Sequence, residues 1–219
     1  MAGLAVASGA VAHAPGTFSG GIANVAGVQV IVDFYTWAMS IGAAFQVRAG
    51  TITTPLVGDV VITDAVCEMA TAALAGTLLI PTSANISFRL AAGTLFESAG
   101  KSTAVATMSG GTAFVALPLK TIGPNLAATP TAAVTTSMVS AAGGVTVAAE
   151  LATTTRRHFS WSQPIAAGAW PTWYDWAPRA APHLAGPSCF YLQIAGAGTG
   201  PSYYASYDFI EMPTTQLLG

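Results

Sequence analysis

Apolar and polar residues alternate with a period of two in short runs along much of the chain. Over 28–35, Val28, Val30, Val32 and Phe34 fall on one side and Gln29, Ile31, Asp33 and Tyr35 on the other. Ile86, Phe88 and Leu90 oppose Ser87 and Arg89, and Val145, Val147, Ala149 and Leu151 oppose Thr146, Ala148 and Glu150. Phe190, Leu192 and Ile194 alternate with Tyr191 and Gln193; Tyr203, Ala205, Tyr207 and Phe209 alternate with Tyr204, Ser206, Asp208 and Ile210. Successive side chains of a strand point to opposite faces, so this period predicts half-buried strands. One face meets a core and the other meets water or a neighbour.

Gly and Pro punctuate these runs at Gly20-Gly21, Thr54-Pro55, Gly110-Gly111, Gly123-Pro124, Gly143-Gly144 and 196–201. Turn residues between short apolar runs predict an all-β, antiparallel two-sheet sandwich of roughly eight to ten strands. Long loops and at most one or two short helices complete it. Gly-Thr-apolar recurs at Gly50, Gly76, Gly93 and Gly111 without a fixed period, which reads as strand starts rather than a repeat array. The stretch 64–76 fits two readings. Asp64 as N-cap and Gly76 as C-terminal stop suit a helix. Val61, Thr63, Ala65, Cys67 and Met69 equally make one face of a strand. The organisation expected is a Gly/Ala-rich arm over 1–27, a single sandwich domain over 28–213 and a short tail over 214–219.

Charge sharpens the picture. Only 7% of the 219 residues are charged, seven basic and nine acidic, against about 25% in ordinary soluble domains. A free monomer keeps a mixed charged surface; an exterior of Ser, Thr, Gly and Ala can be covered by other protein with little desolvation cost. Self-association is therefore expected, and the apolar arm is a candidate to lie along a neighbour. The first basic residue is Arg48, so no basic arm precedes it, and a net charge of −2 predicts no strong nucleic-acid binding. No run is long and apolar enough to predict a membrane span.

Candidate chemistry is sparse. Cys67 and Cys189 lie in apolar runs and read as buried free thiols, with one long-range bridge as the alternative. His13, His158 and His183 are isolated, so no metal site is expected. Asp175, His183 and Ser188 are near in sequence but lack a nucleophile elbow. Gly196, Gly198 and Gly200 precede an apparent strand rather than a helix, which removes the phosphate-loop reading. No catalytic residue and no cofactor is expected. The aromatic, Pro-rich stretch 161–187 stands out instead. Trp170, Trp173, Tyr174, Trp176 and Arg179 are a candidate platform for a subunit contact or a ligand, with core packing as the alternative. Arg156, Arg157 and His158 are candidate polar contacts.

The segment from Cys189-Phe-Tyr-Leu-Gln-Ile194 through a Gly-rich loop to Tyr203-Tyr-Ala-Ser-Tyr-Asp-Phe-Ile-Glu-Met-Pro213 resembles the closing strands of single jelly-roll viral capsid proteins. The resemblance covers 189–213. It implies a jelly-roll sandwich and a virion structural subunit without catalytic residues, partnered by copies of itself and by other virion proteins. Many such coat proteins carry a basic N-terminal arm, which this chain lacks; that departure points to a shell that leaves the genome to other partners, or to a decorating or appendage protein. The alternative is a carbohydrate-binding β-sandwich module of a phage appendage or a secreted protein.

Overall fold

A computed structural model describes residues 21–23, 29–31, 34–62, 66–90, 95–105, 107–120, 133–140, 144–147, 154–164, 172–196 and 200–216. The described residues open with a two-stranded ribbon, β1 (Gly21–Ala23), inside the expected arm, and β2 (Gln29–Ile31), beyond it. The strand expected over 28–35 does not run through. A helix, α1 (Phe34–Ile41), takes over. Phe34, Trp37, Ala38 and Ile41 sit at i, i+3, i+4 and i+7, a helical period that overrides the two-residue alternation once there is a sheet face to cover. Phe34 stacks on Trp37 and Ala38 is buried.

Short strands follow: β3 (Ala44–Ala49), β4 (Leu56–Val57), β5 (Val66–Cys67) and β6 (Met69–Ala73). The long pair β7 (Thr77–Leu90) and β8 (Leu95–Thr103) comes next. Between β8 and β14 (Thr155–Pro164) lie the small strands β9 (Met108–Gly110), β10 (Thr112–Phe114), β11 (Leu117–Pro118), β12 (Thr136–Val139) and β13 (Val145–Val147). The chain finishes with β15 (Thr172–Trp176), β16 (Leu184–Ala185), β17 (Ser188–Gly196), β18 (Ser202–Pro213) and a 3₁₀ turn at Thr214–Gln216.

These form two principal antiparallel sheets. The six-stranded sheet runs β10-β12-β6-β17-β8-β14, and the seven-stranded sheet contains β11-β3-β18-β7-β15 with β4 and β16 on its margins. The architecture is an all-β sandwich, as the alternation implied. Its interior is aromatic. Phe45, Phe88, Tyr203, Tyr207 and Phe209 from one sheet meet Phe96, Phe159, Phe190, Leu192 and Ile194 from the other. Phe88 stacks on Phe96 and on Trp161, and Phe190 meets Tyr207 edge-on, arrangements that add to the burial of large rings.

The segment 64–76 resolves as strand, with residues 63–65 outside the described set. Its single face is broken by a kink at Glu68. Cys67 joins the small sheet β5-β13-β9, while Met69 enters the interior between the main sheets. That small sheet is a third layer. Cys67, Val145 and Val147 pack with Ala70, Cys189 and Tyr191 on the back of the six-stranded sheet. Both faces of β17 are therefore buried, where alternation predicted one half-exposed. The Gly-Thr starts hold for β7 and β10, whereas Gly50 lies at the exit of β3.

Candidate functional site

The aromatic stretch does not converge on one platform. Trp170 lies outside the described residues. β15 is the edge strand beside β7, and its alternation divides the candidates between two sides. Tyr174 and Trp176 point inward: Tyr174 stacks on Trp161 at 5.4 Å, and Trp176, 9% exposed, stacks on Phe190 at 6.0 Å. They complete the core. Trp173 points outward and is 68% exposed. Arg179 is exposed in the connection after β15 and lines a shallow crevice with His183, Tyr35 and Ile80.

The outer face of the seven-stranded sheet has two halves. α1 lies on one of them, where Ala38 packs with Ala44, Leu78, Ile80, Ile210 and Met212. This cover explains why Ile210, on the polar side of the alternation, is buried. The other half is polar. Trp173 is opposite Ser87, and Ser87 is opposite Tyr204. One row along, Asp175, Asn85, Ser206 and Arg48 follow one another across four strands. The Asn85 side-chain amide donates to Asp175 Oδ1. Asp208 accepts from Gln46 Nε2 at 3.0 Å and Ser83 Oγ at 3.0 Å, and Tyr35 Oη reaches it from α1 at 3.5 Å. Burial and then the Asp208 carboxylate raise the Tyr35 phenol above its ordinary value.

Arg156, Arg157 and His158 are likewise separated. A register shift falls between Arg157 and Phe159, so His158 occupies a bulge. Its Nε2 lies 2.8 Å from Ser102 Oγ, its ring approaches Trp176 and Phe190, and burial lowers its pKa. Arg156 and Arg157 stay exposed on β14, the outermost strand of its sheet, and Arg156 also donates to the Thr155 carbonyl at 3.0 Å. Charge, a bulge and Pro164 together blunt an edge that would otherwise recruit another strand.

The residues resembling a triad do not assemble. Asp175 is on the outer face of the seven-stranded sheet. Ser188 begins β17 on the same side of that strand as Phe190, facing the interior. Among the described residues no cluster of three or more His, Cys, Asp or Glu could hold a metal ion. Cys67 and Cys189 are free and buried, and burial pushes the Cys189 thiol up to about 12.

Sequence reading missed Glu68. It is buried, its Oε2 accepts the Ile194 amide at 2.5 Å, and its own amide donates to the Leu192 carbonyl at 2.9 Å. Burial pushes its carboxyl well above the usual range, opposed by the Ile194 amide. Close by, the segment 50–62 lies against the end of β17 and the start of β18. There Gly58 donates to the Pro201 carbonyl at 2.9 Å, and Asp59 bridges Ala195. Gly200 makes this approach feasible: its φ is +74°, and a side-chain carbon would fall 2.0 Å from the Gly58 carbonyl oxygen. The segment held in this way exposes Ile52, Val57, Val60 and Val61. A lone Glu between two apolar runs is the only signal in the sequence for this buried carboxyl.

Comparison with protein-family models, curated proteins and solved structures finds no significant match to this chain.

Proposed function

We propose that this chain is a structural subunit of a virion, without catalytic activity, that assembles with copies of itself and is located in the virion. The observation that carries the reading is the strand order. Within the larger sheets, β3-β18-β7-β15 faces β6-β17-β8-β14. Taken along the chain, these eight strands are the first, last, third and sixth in one sheet and the second, seventh, fourth and fifth in the other. This order is the one expected of a single jelly roll, in which the chain repeatedly crosses between sheets and its last strand settles beside its first, and it supports that reading. We read the sandwich as this fold, with β9 to β13 as an elaboration between the fourth and fifth strands.

The surface supports assembly. Ile52, Val57, Val60 and Val61 are exposed within one segment at one end of the sandwich, and Val115 is 80% exposed beside the short edge strand β10. Aliphatic side chains clustered in this way, on a chain with 7% charged residues, mark surface suited to burial against protein. Purified protein examined by light scattering and negative-stain microscopy should form closed, uniform particles. Val60→Lys combined with Val61→Lys should prevent them while leaving the β-sheet circular dichroism unchanged. A wild-type chain that stays monomeric at high concentration removes the proposal.

A further inference from the structure

The bare half of the seven-stranded sheet has a different chemistry from the aliphatic end, and it carries a separate inference. We propose that the row Trp173, Ser87 and Tyr204, with Asp175, Asn85 and Arg48 beside it, binds a neutral, extended saccharide chain.

Trp173 presents most of its indole to solvent, on a strand locked to β7 by five register pairs. Tyr204 lies two strands away with only Ser87 between them. Two inter-strand steps are roughly 9–10 Å. That separation lets two rings contact alternate sugar units of a chain laid across the strands. The C–H face of a pyranose packs on an aromatic ring, and its hydroxyls need donors and acceptors at the ring edge. The adjacent row supplies them in Asp175, Asn85, Ser206 and Arg48. Asp175 and Asn85 are already joined through Asp175 Oδ1.

Two features separate this face from a protein contact. Interface centres surround their aromatic anchor with apolar neighbours. Trp173 has Ser87 opposite, Asn85 and Arg89 on the diagonals and Asp175 along its own strand instead. Among the described residues the exposed aliphatic side chain in register with this face is Val57, at the margin opposite Ser202. The charges also balance: exposed Arg48 and Arg89 offset Asp175 and Asp208, and Asp208 is held by Gln46, Ser83 and Tyr35. A nearly neutral, hydroxyl-lined surface suits an uncharged polyol more than an acidic or basic polymer. The row extends across several strands, which suits a chain rather than a single small molecule.

The test is titration of the full chain, both assembled and dissociated, with neutral hexasaccharides of glucose, N-acetylglucosamine, mannose, galactose and xylose. Calorimetry and tryptophan fluorescence report binding. At least one hexasaccharide should bind and shift the emission, and Trp173→Ala should weaken it at least about tenfold, as expected for loss of a tryptophan anchor. Asp175→Ala should weaken the same ligand with the fold intact by circular dichroism. Absence of binding by every hexasaccharide overturns the proposal, as does binding that Trp173→Ala leaves unchanged. Loss of self-assembly in Trp173→Ala, with no saccharide bound by the wild type, assigns the face to a subunit contact and also overturns it. Because dissociated protein is titrated as well, failure to form particles leaves this test intact.

Discussion

The ring of Phe159 occupies the space that a side chain on Gly100 would need. A methyl group at Gly100 would fall 2.1 Å from Phe159 Cε1. The two residues are paired across β8 and β14, immediately after the bulge at His158. Phe159 cannot readily move away, because Tyr174 and Trp176 lie against its other side at 5.3 and 5.2 Å. The glycine thus lets an aromatic stack settle onto bare backbone at the junction of the two sheets.

Gly100→Ala should therefore destabilise the fold by about 1–3 kcal/mol, the usual cost of overpacking a filled core. Chemical denaturation of the two proteins measures it. Equal midpoints would show that the stack has room to shift.

The two outward and inward tryptophans of β15 should behave oppositely. Trp176→Ala should cost about 3–5 kcal/mol, as large-to-small changes in cores do. Trp173→Ala should change stability by no more than about 0.5 kcal/mol, as exposed substitutions usually do. Thermal melts of the two variants, side by side, separate core from surface.

Glu68 makes stability depend on pH in an unusual direction. Its folded-state pKa is raised by burial, so the folded chain holds a proton that the unfolded chain releases near a pKa of about 4.3. The stabilisation is complete below the unfolded value and is lost as pH rises from there toward the folded value. Glu68→Gln keeps an oxygen to accept the Ile194 amide and carries no proton to lose. Its melting temperature should exceed that of the wild type above neutral pH, and the difference should shrink toward pH 4. A difference that grows as pH falls would contradict this assignment.

Cys67, in the third layer, and Cys189, beneath it on β17, have thiol pKa values raised by burial. They should be silent toward a thiol-specific chromogenic reagent in the native protein. Two thiols per chain should appear on unfolding without reductant.

The elements that pack on one side were the legible ones. In β7, Ile86 and Phe88 point inward as their alternation required, and in β18 Tyr203, Ala205, Tyr207 and Phe209 do the same. α1 was hidden because Phe34 and Tyr35 prolong an alternating run, and only the sheet face formed by Ala44, Ile80 and Ile210 selects the helical period. The double burial of β17 was hidden for a related reason. Its cover comes from Val145 and Val147, more than forty residues earlier in the chain, and no local pattern reports such a partner. The aromatic platform was read as one unit from composition, and strand alternation divided it between Trp173 outside and Trp176 inside. The bulge at His158 separated the basic cluster in the same manner.

A sparsely charged exterior that is completed by copies of the same chain has one plain consequence in solution. Light scattering coupled to size-exclusion chromatography on the purified wild-type chain should find a single, large species of fixed mass, and microscopy should show it as closed particles. A species of 22.0 kDa that persists at millimolar concentration would contradict it.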